Sequence, residues 1–438
     1  MQNMKTMICD NLSVSSAGHL LFGGRDTVEL IQKYGSPLYV MDEERIRHNA
    51  RVYVDAMNKH FGGGSHPLFA SKAASFKQIY RIIGEEGMGT DVVSSGEIYT
   101  AKAAGFDLSL AYFHGNNKTD FDIDYAMENG VGCIVADNME EIDAIDRIAA
   151  SRGIKQKILL RLTPGIDPHT YEAVATGKVD SKFGSAIETG AAEELTKYAL
   201  SKAHIDLFGF HCHVGSQVFD SEVYLAASDI MLSFVAKMHK DYGFVTRELN
   251  LGGGYGVRYT EADPVINIAE NIALVAEVLK KTAAHLGISL PCILMEPGRS
   301  IVADAGLTLY TVGSVKEIKG YKNYVSVDGG MPDNPRYALY GSAYTLEIAN
   351  KMDEPKDFFC SVVGRCCECG DILQENVKLT SSVTRGDILA VLTTGAYNYS
   401  MASNYNRIPR LPIIMVTKDS SYVAVKRETF EDLVRNEI

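Results

Sequence analysis

The sequence predicts an α/β fold, a (β/α)8 barrel of the TIM type, together with a second, all-β domain of sandwich- or barrel-like character. Two observations predict it. Eight short apolar runs ending in small or polar residues alternate with amphipathic stretches from about residue 67 to about residue 300. Beyond about residue 300 that alternation gives way to β-rich runs separated by turn residues. A length of 438 residues accommodates both.

The eight runs are PLFAS at 67, GTDVVS at 89, LAYFH at 110, CIVAD at 133, ILLRL at 158, LFGFHCHVG at 207, ELNLGGG at 248 and ILMEPG at 293. Between them, FKQIYRIIGEEG, GEIYTAKAAGF, MEEIDAIDRIAASRG and INIAENIALVAEVLKKTAAHLG carry apolar residues at helical spacing. No GxGxxG opens the first helix, which argues against a doubly wound open sheet. The later runs LTLYTVGSVKEI, NYVSVDGG, DFFCSVVG, DILAVLTTG and PIIMVTKDSSYVAVKR read as strands, and SSAGHLLFGG near the start reads as a hairpin. The barrel is therefore expected over 36–300, and the β-rich domain over 1–35 plus 301–438.

Composition narrows the function. With 46% hydrophobic and 22% charged residues the chain reads as a soluble globular protein. No run approaches the roughly 20 apolar residues that cross a membrane. The opening MQNMKTMICDNLSV lacks the apolar core and cleavage site of a secretory signal, so a cytoplasmic location is expected. Cysteines scattered at 9, 133, 212, 292 and from 360 onward do not form a disulfide framework. A net charge of -12 argues against a nucleic-acid partner and leaves small molecules as the expected ligands.

Catalytic groups of such barrels sit at the C-terminal strand ends. Here those ends carry Ser71-Lys72, Asp91 with Glu97, His114, Arg161, His211, His213 and Ser216, Gly252-Gly253-Gly254, and Glu296-Pro297-Gly298-Arg299. Singly, each has a plain reading: a lone lysine is a solvated charge, a strand-end histidine a hydrogen-bonded neighbour, a triple glycine a flexible turn. Together they describe a ligand. The glycines after the seventh strand expose backbone N–H groups where barrels of this kind hold phosphate. Lys72 ends an apolar strand, where partial desolvation would free a neutral amine to form an imine. Glu296 could bond a protonated ring nitrogen, and lysine, phosphate site and acid together indicate pyridoxal 5'-phosphate.

The chain also resembles the fold-type III pyridoxal-phosphate-dependent decarboxylases, most closely the branch acting on meso-diaminopimelate. The resemblance runs from about residue 35 to about residue 410. It rests on FASKAAS, DVVSSGE, HGNNKT, RLTPGIDPHT, TGKVDSKFG, HCHVGSQ, LNLGGGYG, EPGR, DNPRYALY, CCECGD and GAYNYSMASNYN. It implies that Lys72 holds the cofactor, that His213 stacks on its ring and that Glu296 meets the ring nitrogen. Ser216, Gly252, Gly253, Gly254, Pro297, Gly298 and Arg299 would form the phosphate and cofactor shell, with Asp91, Glu97 and Arg161 in support. Arg299, Arg336, Tyr340 and Tyr397 would meet the substrate, Tyr397 also lying near the cofactor.

The resemblance gives a context to GRCCECGD, residues 364–371, whose crowded thiols alone fit a metal site, a redox pair or a catalytic acid. In the family this loop comes from the second domain of a partner subunit, which implies a homodimer with shared sites. Cys367 would then be a proton donor to Cα and Glu368 the specificity residue. The chain departs from the family pattern at Cys369, where serine is usual, and at Asn398, where glycine is usual. No metal is expected, since adjacent thiols such as Cys366 and Cys367 rarely ligate one ion. The implied reaction is decarboxylation of meso-2,6-diaminopimelate to L-lysine and CO2, the last step of lysine biosynthesis. Alternatives are a polyamine-pathway decarboxylase of ornithine, arginine or carboxynorspermidine, or a non-catalytic pyridoxal-phosphate-binding homologue.

Overall fold

A computed structural model describes residues 7–166 and 181–438, so the motif residues DPHT and TGKVD lie outside the described residues. The chain divides into two compact units. One comprises residues 49–256 and 265–298, the other residues 1–48, 257–264 and 299–438.

The first unit is the barrel. Its strands are β1 (His66–Ala70), β2 (Gly89–Val92), β3 (Ala111–Phe113), β4 (Cys133–Ala136), β5 (Gln156–Thr163), β6 (Ile205–Cys212), β7 (Glu248–Asn250) and β8 (Cys292–Met295). Each falls on one of the eight apolar runs. All neighbouring pairs are parallel, β8 pairs with β1 and β4 with β5, and the sheet therefore closes. Burial on both faces is why these strands are continuous apolar runs rather than alternating ones. Leu68, Tyr112, Cys133, Val135, Leu159 and Leu294 form one buried cluster of this unit. Side-chain caps start the intervening helices. Asn138 accepts from the Glu141 N–H ahead of Met139–Arg152, and Asp220 from the Glu222 N–H ahead of Ser221–Tyr242.

Register aligns the strand ends. Arg161 of β5 pairs with His211 of β6, His211 with Asn250 of β7, and Asn250 with Leu294 of β8. Glu296 lies two residues past Leu294, which the strand period places on the same face.

In the second unit one sheet runs Ile372–Leu379, Phe358–Val363, Lys322–Val327, Gly306–Ile318, Leu38–Asp42, Ile413–Val416, Ser421–Val425. Leu346–Ile348 and Ile388–Val391 pair with each other, and the latter also with Gly306–Ile318. Leu12–Val14 and Leu20–Phe22 form a hairpin, with Leu12 opposite Phe22. Leu12, Leu20 and Phe22 share a buried core with Leu38, Val40, Leu307, Leu309 and Ile414. Residues 36–48, counted with the barrel in the expectation above, fall in this unit. The strand Leu38–Asp42 pairs with Gly306–Ile318 and Ile413–Val416, and its five residues are all buried.

Candidate active site

Glu296 is the centre of the barrel's polar end. It is buried, and its Oε1 accepts hydrogen bonds from His114 Nε2 at 2.7 Å and Asn250 Nδ2 at 2.7 Å, while Oε2 accepts from His211 Nε2 at 2.9 Å. Burial alone would push this carboxyl up. The two histidines and their hydrogen bonds outweigh that and hold it well below the usual carboxylate range. Burial pulls both histidines down, His211 to about 4, so each is neutral at pH 7 and donates its single N–H to the carboxylate. The rings meet edge to face at 4.7 Å between centroids. These three side chains are the only group of potential metal ligands among the described residues. Because both histidines donate directly to Glu296, the group holds protons where an ion would sit.

Asp91, near the end of β2, is buried, and its Oδ1 has no hydrogen-bond partner among the described residues. Burial first, then repulsion from Glu296, push its carboxyl well up against the pull of Lys72 and Arg161. Two carboxyls in one interior cannot both ionise cheaply, so Glu296 takes the charge and Asp91 the proton. Glu97 Oε2 accepts from Ser71 Oγ at 2.7 Å and the Val93 N–H at 2.8 Å, which ties the helix after β2 to the residue before Lys72. Arg161 packs its guanidinium 4.4 Å from the Phe183 ring centroid, and burial pulls it below the usual arginine range.

Lys72 lies in a one-turn segment, Ser71–Ala73, directly after β1. Ser71, Ala73 and Ala74 are buried, but Lys72 is exposed. The expectation that the apolar run buries the lysine is therefore corrected: the run buries its neighbours and leaves Lys72 exposed, with its charge acting on Asp91, Glu97 and His213. Pro297 and Gly298 close β8 onto β1. The Ala70 N–H donates to Pro297 O at 2.9 Å, and a β-carbon on Gly298 would come within 2.8 Å of Ala70 Cβ.

The triple glycine also differs in detail from the expectation. The Gly252 N–H donates to Asn250 Oδ1 at 2.9 Å and the Gly253 N–H to His213 Nδ1 at 3.3 Å, so two of the three amides are engaged inside the barrel. Among the described residues the Gly254 amide makes no such bond. Side chains are excluded because a β-carbon on Gly252 would reach 2.5 Å from Cys212 O, while Gly253 and Gly254 abut the carbonyls of Glu296 and Gly215. Accepting the Gly253 N–H fixes His213 as the neutral tautomer with its proton on Nε2. Burial holds His213 well below the usual histidine range. Ser216 is half-buried in the following loop.

This donor set fits pyridoxal phosphate. It offers a primary amine, a fixed carboxylate, a neutral imidazole, a buried acid and a glycine turn, with one acid oxygen and one turn amide unpartnered among the described residues. Asn250, His114 and His211 carry the most of what sequence reasoning left unassigned. The histidines were visible as strand ends, but their shared partner follows only from the strand register.

The second unit gathers another set. Arg299 opens the short helix Arg299–Val302, is buried, and donates to Tyr259 Oη at 2.5 Å. The Tyr397 ring lies under both Arg299, at 4.8 Å, and Arg336, at 5.4 Å. Arg336 also lies 5.5 Å from the Tyr340 ring centroid, and its buried Nε has no hydrogen-bond partner among the described residues. Tyr397 adopts φ +63°, a left-handed conformation unusual for a tyrosine. Asn398 is fully buried and donates to Thr394 O at 3.0 Å. Cys367 and Glu368 are exposed on the loop between Phe358–Val363 and Ile372–Leu379. Glu368 Oε1 accepts from the Gly370 N–H at 3.1 Å and Oε2 from Tyr405 Oη at 3.4 Å.

Residues 45–303 match the family described as pyridoxal-dependent decarboxylase, pyridoxal binding domain. The diaminopimelate decarboxylase of Bacillus subtilis is 45% identical over 418 residues, covering 95% of each chain. That of Staphylococcus aureus is 41% identical, covering 96% of this chain and 98% of the other. The crystal structure of the M. jannaschii diaminopimelate decarboxylase in complex with L-lysine superposes with a TM-score of 0.90 at 31% identity, covering 98% of both chains.

Proposed function

The chain belongs to the diaminopimelate decarboxylase family of pyridoxal-dependent decarboxylases, and from that premise we propose that it converts meso-2,6-diaminopimelate to L-lysine and CO2, the last step of lysine biosynthesis. The observation that carries the reading is the 45% identity to a relative of that activity over 95% of both lengths. The caged Glu296 supplies the chemical reason.

When bound, pyridoxal phosphate supplies the electron sink that accepts the pair left as CO2 departs. Lys72 is the residue we assign to hold its aldehyde. Glu296, kept ionised by His114, His211 and Asn250, would hold a proton on the ring nitrogen and so maintain the sink. His213, uncharged, offers a flat ring for stacking. The Gly254 amide, Ser216 and Gly298 are assigned to the phosphate. Asp91, Glu97 and Arg161 support the ring and Lys72. Cys367 Sγ is assigned to deliver a proton to Cα, since a thiol gives one up and regains it between turnovers.

Selectivity rests on the far end of the substrate, which carries both an ammonium and a carboxylate. Glu368 can accept from the ammonium. Arg336, its buried Nε unpartnered among the described residues, and Arg299 can grip a carboxylate, with Tyr340 and Tyr397 packing around them. A substrate lacking that carboxylate leaves buried donors unpaired. We further propose a homodimer in which the Cys367 loop of a second copy completes each barrel site, a reading supported by the exposure of Cys367 and Glu368. A cytoplasmic location is proposed on the eight cysteines, all of them free. No helix among the described residues is long and apolar enough to cross a membrane.

The test is CO2 release by the holoenzyme from meso-diaminopimelate, ornithine, arginine and carboxynorspermidine. The expected outcome is a preference for meso-diaminopimelate in kcat/KM of about a hundredfold or more. Comparable or faster release from a diamine precursor assigns the chain to polyamine synthesis, and no release from any of them makes it a cofactor-binding homologue.

A further inference from the structure

The loop that carries Cys367 and Glu368 is not held by its own backbone alone. Asp371, at its end, is buried. Its Oδ2 accepts from the Cys366 N–H at 2.7 Å, and its Oδ1 accepts from the Met331 N–H at 2.6 Å on a different loop. The slot around this carboxylate is cut by glycines on both loops, since a β-carbon on Gly330 or on Gly364 would collide with it. A further bond runs from the Arg365 N–H to Gly329 O at 3.0 Å. The Met331 loop leads directly into the helix Arg336–Tyr340, through a turn in which the Asp333 and Asn334 N–H groups both donate to Gly330 O.

We propose that Asp371 is a positioning residue which clasps the Cys367–Glu368 loop, offered to a second copy's site, to the Met331 loop of its own chain, so that Asp371 fixes the geometry in which Cys367 and Glu368 are presented. This rests on the function proposed above. A carboxylate is required because both bonds come from N–H donors, and charge-assisted bonds to amides are the stronger kind. It also makes the two adjacent thiols unequal. Burial first, then the Asp371 carboxylate, push Cys366 up to about 12, while Cys367 is exposed with its N–H donating to Asn406 Oδ1 at 2.8 Å. Cys366 is thereby kept a thiol, and the thiol assigned to proton delivery stands alone.

The test uses the holoenzyme. Asp371→Asn turns one acceptor into a donor facing an N–H. It should lower kcat/KM for meso-diaminopimelate about 10- to 100-fold, leave the cofactor absorbance unchanged, and make Cys366 alkylate with iodoacetamide at a rate approaching that of Cys367. Asp371→Glu should not rescue, because the glycine-lined slot has no room for another methylene. Gly330→Ala, which keeps the carboxylate but fills its slot, should reproduce the labelling change. Unchanged kcat/KM with Cys366 still protected in Asp371→Asn overturns the proposal, as does a Gly330→Ala variant with wild-type labelling. If wild-type enzyme does not decarboxylate meso-diaminopimelate, the function above fails, whereas the labelling readout still decides the clasp.

Discussion

Glu296 and Glu368 are both carboxylates assigned to hold a cation, and the chain treats them in opposite ways. Glu296 is buried beneath three side-chain N–H donors that fix its charge and its direction. Glu368 is exposed, steadied by one amide and one phenol. An isolated ion in the interior costs several kcal/mol, so a charge fixed there must arrive with its partners built in. A charge on the surface costs little until a ligand desolvates it. The barrel therefore presents a finished electrostatic environment, and the loop presents groups whose strength depends on what covers them.

That contrast predicts separable defects. Cys367→Ala carries the largest effect: turnover of meso-diaminopimelate should fall about 10²- to 10⁴-fold while cofactor content and absorbance stay at wild-type values. Near-normal turnover would remove the acid role from Cys367, and lost cofactor would mean that the loop is no separate region. Glu368→Ala sharpens the contrast further. KM should rise and kcat/KM fall about 10- to 100-fold, with the cofactor retained. An unchanged kcat/KM takes Glu368 out of substrate recognition.

The smallest effect concerns stability. Burial, only partly countered by the Gly330 N–H and reinforced by Asp371 and Asp328, pushes Asp333 up to about 7. A folded state that keeps a proton which the unfolded chain releases is favoured at low pH and loses that advantage as pH rises. Asp333 by itself therefore contributes stability that is lost between about pH 4 and pH 7, by on the order of 4 kcal/mol at most, on top of the opposite trend set by the buried neutral histidines. Asp333→Asn should remove that contribution from thermal unfolding across the same range. An unchanged profile in the variant would place the titration elsewhere.

Much of the barrel was legible because each of its strands is buried on both faces and so stands out as an apolar run between helical patterns. The strand Leu38–Asp42 was not separable in this way. It is equally buried, and only its pairing with Gly306–Ile318 shows which sheet it serves. Residue types at the strand ends pointed to cofactor chemistry, but the cage on Glu296 depends on register among β3, β6, β7 and β8, which no local pattern encodes. The same limit applied to Asp371, whose partners lie on a loop distant in sequence. Lys72 shows the converse: its apolar neighbours suggested desolvation, yet in the turn after β1 they are buried and the lysine itself stays exposed.

The most direct test of the account is reduction of the yellow holoenzyme with sodium borohydride followed by peptide mapping. The pyridoxyl label should lie on Lys72 alone, and Lys72→Ala should yield none. A label on any other lysine, or full labelling of the Lys72→Ala protein, would contradict the account at its centre.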